Sequence, residues 1–296
     1  MRPEKKGVAT MFDRFVDILI YGNMMRAFIV GILVSLCAAL LGVSMVLRRC
    51  SMIGDGLSHV GFAALAIAAA ANLAPLPIAM VVCVIAAFFL LRISKSSRIN
   101  ADAAIALVCC GALAIGVMSV SLAPGGNIDY GNYMFGSLVA LTSTDTVLSV
   151  ILSVVVIIVF VFFYNRIFAV TFDESFAKAT GTVAGLYNGI LSMLTAVVVV
   201  LGMRMMGALL ISSLLIFPPL TSMRICKSYR NVVICSCVVS VVCFVTGSVI
   251  TCLAGTPLGA TIVCANIVAF LVFSLVRAML TLKGKRTTKK ENKNGR

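Results

Sequence analysis

Long apolar stretches without a charge constrain this chain more than any other feature of its sequence. The stretch from Thr146 to Phe163 contains no charged residue, and comparable stretches recur along most of the 296 residues. Apolar residues make up 61% of the chain and charged residues only 11%, whereas a soluble domain carries about 25% charged residues. So few charges cannot cover a water-soluble body of this length. Most of the protein surface must therefore face lipid.

The apolar stretches have the length and the continuity of membrane-spanning helices. A helix needs roughly 20 apolar residues to cross the hydrocarbon core, and barrel strands would alternate apolar and polar residues. The sequence therefore predicts an all-α, polytopic transmembrane helix bundle of about nine spans. Their predicted ranges are Met25–Leu47, Ile53–Leu73, Pro77–Ile93, Ala101–Leu122, Thr146–Phe168, Thr182–Leu201, Met203–Thr221, Val232–Leu253 and Gly259–Leu280.

The predicted spans divide the chain into three parts. Residues 1–24 form an N-terminal segment, in which Thr10 to Tyr21 has an apolar face beside charged residues, a pattern typical of a helix lying in the membrane interface. Residues 25–280 form the transmembrane domain. Residues 281–296 form a basic tail.

The positions of Lys and Arg predict the orientation, because cytoplasmic loops collect basic residues. Every second connection and the tail together hold 18 of the 24 basic residues, and we therefore expect them to be cytoplasmic. The alternate connections hold only Arg204, and the longest of them contains Asp129 and Asp145. Nine spans then place the N-terminus outside, despite its five basic residues. Either the interfacial helix compensates for these charges, or the span count is wrong by one.

Several function classes are disfavoured by what the sequence lacks. The eleven cysteines include no CxxC pair and lie mostly in apolar runs, where thiols behave as small hydrophobic groups. The basic charges follow the topology and accompany no groove-reading motif, so we expect no nucleic-acid partner. The chain has no GxxxxGK[ST] loop to hold ATP phosphates and no HExxH zinc motif. Catalysis by this chain is therefore not expected.

The only histidine, His59, follows Asp55 by four positions near the start of the predicted second span. In a helix these side chains share one face. Ionisable groups in membrane segments usually face a bundle interior or a water-filled path, and a carboxylate beside an imidazole suits a divalent transition metal. The pair thus predicts part of a metal path, completed by other ligands or water. The alternative is an Asp–His hydrogen bond that only fixes helix packing, with Gly54, Gly56 and Gly61 allowing close approach.

A second polar feature, AVTFDESFAKATG at residues 169–181, interrupts the apolar pattern on the predicted cytoplasmic side. Asp173 and Glu174 lie near the start of a possible short helix, where the helix dipole favours acidic residues. The positions spaced for one face of this helix are Phe172, Phe176 and Ala179. The segment therefore predicts an amphipathic docking element for a soluble partner. The alternative is a solvated surface turn.

Four stretches resemble, in order, the sequence signatures of metal-type ABC transporter permeases, the membrane subunits of bacterial zinc, manganese and iron uptake systems. Residues 48–59, RRCSMIGDGLSH, resemble the family's Arg-Arg … Gly-Asp-x-Leu-Ser-His signature. Residues 133–138, YMFGSL, resemble its Tyr-Leu-Phe-Gly-Ser-Ile loop, and residues 172–181 its cytoplasmic Phe-Asp-x-x-x-Ala-x-x-x-Gly segment. Residues 207–218 resemble its Gly-x-Leu-Leu … Leu-Leu-x-x-Pro span. The resemblance extends roughly from residue 25 to residue 280.

The departures from the family pattern are modest. Gly56 stands where Ala or Thr is usual, Pro219 stands where Ala is usual, and the N-terminus is longer. Because Pro219 follows Pro218 directly, the end of the seventh span is not defined by the pattern.

The resemblance implies a multi-pass permease of the bacterial cytoplasmic (inner) membrane that binds no permanent cofactor. Two separate cytoplasmic ATPase subunits would bind and hydrolyse ATP, and a second permease, identical or paralogous, would complete a central path for the metal past Asp55 and His59. A metal-binding protein outside the membrane would deliver the cation. The residues that the resemblance assigns to coupling with the ATPases are Phe172, Asp173, Glu174, Phe176, Ala177 and Gly181.

Two other function classes remain open from the residues alone. An ion-coupled secondary carrier would work without an ATPase and usually shows intramembrane acidic residues in related halves; the sequence has no second copy of the Asp55–His59 pattern. An intramembrane enzyme would need a nucleophile and a base on one helix face, which Ser58 beside His59 does not supply.

Overall fold

The computed structural model describes residues 22–71, 73–94, 101–122 and 143–294, and all regular elements in these ranges are α-helices. The helices are α1 (Gly22–Leu47), α2 (Met52–Ala70), α3 (Pro75–Ser94), α4 (Ala101–Leu122), α5 (Ser143–Phe162), α6 (Tyr164–Phe172), α7 (Glu174–Ala179), α8 (Ala184–Met206), α9 (Ala208–Ser222), α10 (Tyr229–Ala254) and α11 (Leu258–Asn294). Among these, 8 are long and apolar enough to cross a membrane, and the shorter α9 is apolar as well. These nine helices correspond one for one to the predicted spans, and the predicted fold class is confirmed.

Two predicted boundaries are wrong. The fifth span was expected to run to Phe168, but α5 ends at Phe162, and a turn at Phe163 starts the separate helix α6. The sixth and seventh spans were expected to divide between Leu201 and Met203, whereas α8 continues to Met206. The break falls at Gly207, which has a φ of 87°. This conformation is open to glycine and strained for other residues.

The most deeply buried of the long helices, α1 and α8, lie at the centre of the bundle. Both helices are buried along most of their length, and together with α9 they supply much of the apolar core. Helix α2 packs against α3 and α4. The outer helices expose large apolar side chains at helical spacing, as Val81, Ile85 and Phe89 do on α3. In a bilayer this is the face that lipid covers.

Helix α9 contains Pro218 and Pro219, yet it continues to Ser222. A proline has no N–H to donate, so Pro219 offers no hydrogen bond to the carbonyl of Leu215 one turn earlier. Helix α1 packs closely at this point, because a Cβ atom on Gly42 would collide with the Leu215 carbonyl oxygen. Gly42 is therefore required for the contact between α1 and the proline-containing turn.

Arg204, the basic residue found in the predicted outward connections, forms an ion pair. The guanidinium of Arg204, in the last turn of α8, lies 2.8 Å from the carboxylate of Asp145 in the first turn of α5. The pair joins two helices at the same end of the bundle. Arg204 therefore does not place an uncompensated positive charge on that side.

The corner between α1 and α2 has the hydrogen bonds of a Schellman ending. The Cys50 N–H donates to the Met45 carbonyl at 3.0 Å, and the Arg49 N–H donates to the Val46 carbonyl at 3.1 Å. The residue between the helices, Arg49, has a φ of 56°. Glycine usually occupies this position, because a side chain in the left-handed region costs about 1 kcal/mol or more.

We expect Arg49→Gly to raise the melting temperature of the purified protein, corresponding to a stabilisation of about 1 kcal/mol. Thermal unfolding in detergent measures this change. Arg49→Ala is the matched control, because it removes the same exposed side chain but keeps the Cβ atom at positive φ. An equal rise for the two variants would contradict the backbone explanation.

Three features expected from the sequence lie outside the described residues. They are the interfacial helix at Thr10 to Tyr21, the stretch at residues 133–138 and most of the predicted outward connection around it. The backbone of α11 continues as a helix from the ninth span into the basic tail, as far as Asn294.

Candidate functional site

The first turns of α2 position the two predicted metal ligands. Asp55 lies in the first turn, and His59 lies one turn further along the helix. The Nε2 atom of His59 is 3.9 Å from the Oδ2 atom of Asp55, and the two side chains are 24% and 39% exposed respectively. The structure therefore brings the imidazole and the carboxylate to one face of α2, within reach of a common ligand.

This face of α2 borders a cavity of about 160 Å³. The residues that line it are Asp55, Ser58, His59, Phe62, Leu113, Ala208, Leu209 and Ser212. They come from α2, α4 and the beginning of α9, so three helices distant in sequence enclose the cavity. This volume is well above the minimum that a single water molecule needs. A partly hydrated cation fits this space.

The polar part of the cavity consists of one carboxylate, one imidazole and two hydroxyl groups. The Ser58 hydroxyl donates to the Asp55 carbonyl at 2.7 Å, and its oxygen lies 3.2 Å from the hydroxyl oxygen of Ser212. Within the described ranges, no group of three or more His, Cys, Asp or Glu side chains could hold a metal ion. The donor set suits a cation held in passing, with water or another subunit supplying the remaining ligands.

The second predicted site forms a capped short helix. The carboxylate of Asp173 accepts hydrogen bonds from the backbone N–H groups of Ser175 and Phe176, both at 2.9 Å, and so caps α7. Glu174 is the first residue of α7, which agrees with its predicted position near the start of a short helix. Gly181, just beyond the helix, has a φ of 79°. The Asp173 cap and the turn at Gly181 thus define both ends of this element.

Helix α7 has a buried side and an exposed side. Ala177 is 0% exposed and packs with Val170 and Ala184 in a small cluster separate from the main core. On the exposed side, Phe176 is 64% exposed, and Phe172, which precedes α7 in the chain, is 60% exposed. Two protruding aromatic rings on a polar surface are typical of a protein contact.

The prediction that Phe172 belongs to the short helix is wrong. Phe172 ends α6, because Asp173 adopts an extended conformation with a φ of −146° and a ψ of 100°. The Phe172 ring packs instead on Phe168 and Tyr229, with centroid distances of 4.8 Å and 5.9 Å. The Tyr229 hydroxyl lies 3.0 Å from that of Ser44 near the end of α1. These rings link the segment to α1 and α10.

Sequence reasoning did not identify all residues at the two sites. Ser212 lines the cavity. The sequence feature that could have identified it is the pair of hydroxyl residues, Ser212 and Ser213, inside an otherwise apolar span. Arg48 and Asn188 both contact Glu174, and no spacing in the sequence relates them to it. The chain fold alone brings these residues together.

The model of the ABC 3 transport family matches residues 20–277 of this chain. The chain belongs to this family. The family match confirms the resemblance found in the sequence, and the family is one of transport proteins.

Relatives of this ABC 3 chain extend over nearly its whole length. The high-affinity zinc uptake system membrane protein ZnuB of Haemophilus influenzae is 27% identical, over 86% of this chain and 97% of its own length. The manganese import system permease protein ScaB of Streptococcus gordonii is 26% identical, over 84% of this chain and 89% of its own length. The solved structure of PsaBC from Streptococcus pneumoniae, in complex with Fab, has a TM-score of 0.81 and 26% identity, over 92% of this chain and 99% of its own chain.

Proposed function

We propose that this protein is the membrane-spanning permease subunit of an ATP-binding-cassette importer for a divalent transition metal in the bacterial cytoplasmic membrane. The observation that carries the proposal is the cavity beside Asp55 and His59, within the helix bundle of an ABC 3 transport protein. An acid and an imidazole are ligands that zinc, manganese and ferrous iron share. The named functions of relatives, zinc uptake and manganese import, agree with this ligand set.

The proposed energy source is a pair of cytoplasmic ATPase subunits that bind the segment from Asp173 to Gly181. The exposed rings of Phe172 and Phe176 supply the contact surface, while Asp173 and Ala177 hold the short helix in place. ATP binding and hydrolysis would then shift the bundle between outward-open and inward-open states through a difference in affinity for those states.

Two further partners complete the proposed assembly. A second permease subunit, identical or paralogous, would close the other side of the path. An extracytoplasmic metal-binding protein would deliver the cation at the opposite mouth. The second permease would supply metal ligands, because the described residues of one subunit contain no group of three or more His, Cys, Asp or Glu side chains that could hold the ion.

The test is metal uptake into proteoliposomes that contain the permease together with its ATPase, with the binding protein outside. We expect uptake of radioactive zinc or manganese only when ATP is inside, and no uptake when the ATPase carries an inactivating substitution. A proton ionophore should leave the initial rate unchanged. Uptake by the permease alone, driven by an ion gradient, would instead establish the secondary carrier.

A further inference from the structure

Glu174 lies at a junction of three helices on the predicted cytoplasmic side of the bundle. One of its carboxylate oxygens, Oε2, accepts a hydrogen bond from the Asn188 side chain of α8 at 3.2 Å and lies 3.7 Å from the guanidinium of Arg48. The other oxygen, Oε1, lies 2.9 Å from the ammonium of Lys178 in α7 itself. A residue of the predicted ATPase-binding helix thus contacts both α8 and the end of α1.

The contact with Arg48 is the more sheltered of the two ion pairs. The Arg48 side chain is 12% exposed and that of Glu174 is 29% exposed, whereas Lys178 is 60% exposed. Salt screens a sheltered pair less than a pair in open solvent. The Arg48 contact is therefore suited to hold the two elements together while they move.

The chain between Arg48 and Asp55 is short, and backbone hydrogen bonds hold both of its ends. Arg48 caps α1 through its N–H, which donates to the Ser44 carbonyl at 3.2 Å. The Ile53 N–H donates to the Cys50 carbonyl at 3.1 Å, so the corner leads directly into α2. Asp55 follows within the first turn of that helix. A displacement of Arg48 therefore displaces the residues that border the cavity.

Helix α7 presents different residues to its two sides. The ring of Phe176 faces outward and is available to a soluble subunit, whereas Glu174 faces the bundle. A force applied to the aromatic side of α7 has a direct route to α1 and α2 through Glu174.

We propose that Glu174 and Arg48 are positioning residues that convey the movement of the ATPase-bound helix to the α1–α2 corner, and so to Asp55 and His59. The proposal rests on the proposed function. The pair does not itself bind metal or ATP. Its role is to make ATP hydrolysis and metal movement occur together.

The test compares the number of metal ions imported with the number of ATP molecules hydrolysed in proteoliposomes. We expect Arg48→Gln and Glu174→Gln each to lower this ratio roughly 3- to 30-fold, within the range found for substitutions along coupling networks. The ATPase should still copurify, because Phe172 and Phe176 are unchanged. Arg49→Gln is the matched control: it removes the neighbouring positive charge from an exposed side chain at the same corner, outside the ATPase-binding segment, and should leave the ratio at the wild-type value.

A charge reversal separates a specific pair from two independent effects. In the Lys178→Gln background, Arg48→Glu combined with Glu174→Arg should recover most of the ratio that either reversal alone loses. The proposal is overturned if both Gln variants keep the wild-type ratio, if the double reversal is no better than the single ones, or if both Gln variants lose the ATPase on purification. Absence of ATP-dependent uptake by the wild-type protein would instead contradict the proposed function.

Discussion

Asp55→Asn and His59→Gln are each expected to lower the uptake of radioactive zinc or manganese about 10–100-fold, while expression and melting temperature stay close to the wild type. Both side chains line the cavity enclosed by α2, α4 and α9. Asn and Gln keep the approximate size and the hydrogen-bonding capacity of the native residues. They remove the carboxylate charge and the imidazole nitrogen, which are the groups that a divalent cation requires.

This pair of substitutions discriminates between a metal path and simple helix packing. If the Asp–His contact only fixes the helices, amide side chains replace its hydrogen bond and the uptake rate is unchanged. Asp102→Asn is the matched control, since Asp102 also lies in the first turn of a helix but does not line the cavity. Wild-type uptake in both the Asn and the Gln variant would rule out the metal path. Tight binding at equilibrium is not expected, because a transporter must release its cargo.

The sequence was sufficient to predict the bundle because hydropathy acts over whole helices. A run of about 20 apolar residues is costly anywhere except in lipid or in a core, so each span could be identified from its own residues. The ends of the spans depend on single backbone torsions instead. The break between α8 and α9 falls at Gly207 rather than at neighbouring Gly202, which stays helical. Both glycines lie in the same apolar context, and hydropathy does not distinguish them.

The candidate sites were predictable only where their residues are close in sequence. The spacing of Asp55 and His59 implied a shared helix face, and the geometry has them on that face. Ser212 reaches the same cavity from a helix more than 150 positions away, and Arg48, just after α1, contacts Glu174 in a different part of the chain. Such contacts follow from tertiary packing. The helical periodicity of a sequence relates only residues that are close together in the chain, so it does not predict these contacts.

The glycine at position 181 is explained by its backbone conformation rather than by close packing. A glycine just after a short helix serves either a close turn of the chain, where a side chain would interfere, or a backbone conformation that other residues disfavour. Within this subunit, however, no atom lies within 4 Å of where a Cβ atom would be. The positive φ of 79° explains the glycine instead. Gly181→Asn should therefore be tolerated better than Gly181→Val, because Asn adopts the left-handed conformation more readily than a β-branched residue.

Ala177→Asp is expected to abolish both copurification of the ATPase and ATP-dependent uptake, while the permease still inserts into the membrane. The Ala177 side chain is 0% exposed and packs with Val170 and Ala184. An unpaired carboxylate placed there costs several kcal/mol. A six-residue helix has few other contacts to offset that cost, so α7 should leave its position together with the aromatic ring that it presents. A change of about 3 kcal/mol would already reduce the docked population more than a hundredfold.

The separation of this cluster from the main core is what makes the Ala177→Asp experiment informative. Because Ala177 packs in its own small cluster, the transmembrane bundle should keep the wild-type melting temperature when α7 is displaced. Ser228→Asp is the matched control: it adds the same charge at an exposed position outside the segment from Asp173 to Gly181, and should leave copurification and uptake unchanged. Normal copurification and uptake with Ala177→Asp would mean that the ATPase does not depend on this helix, and the segment would then be an ordinary surface turn.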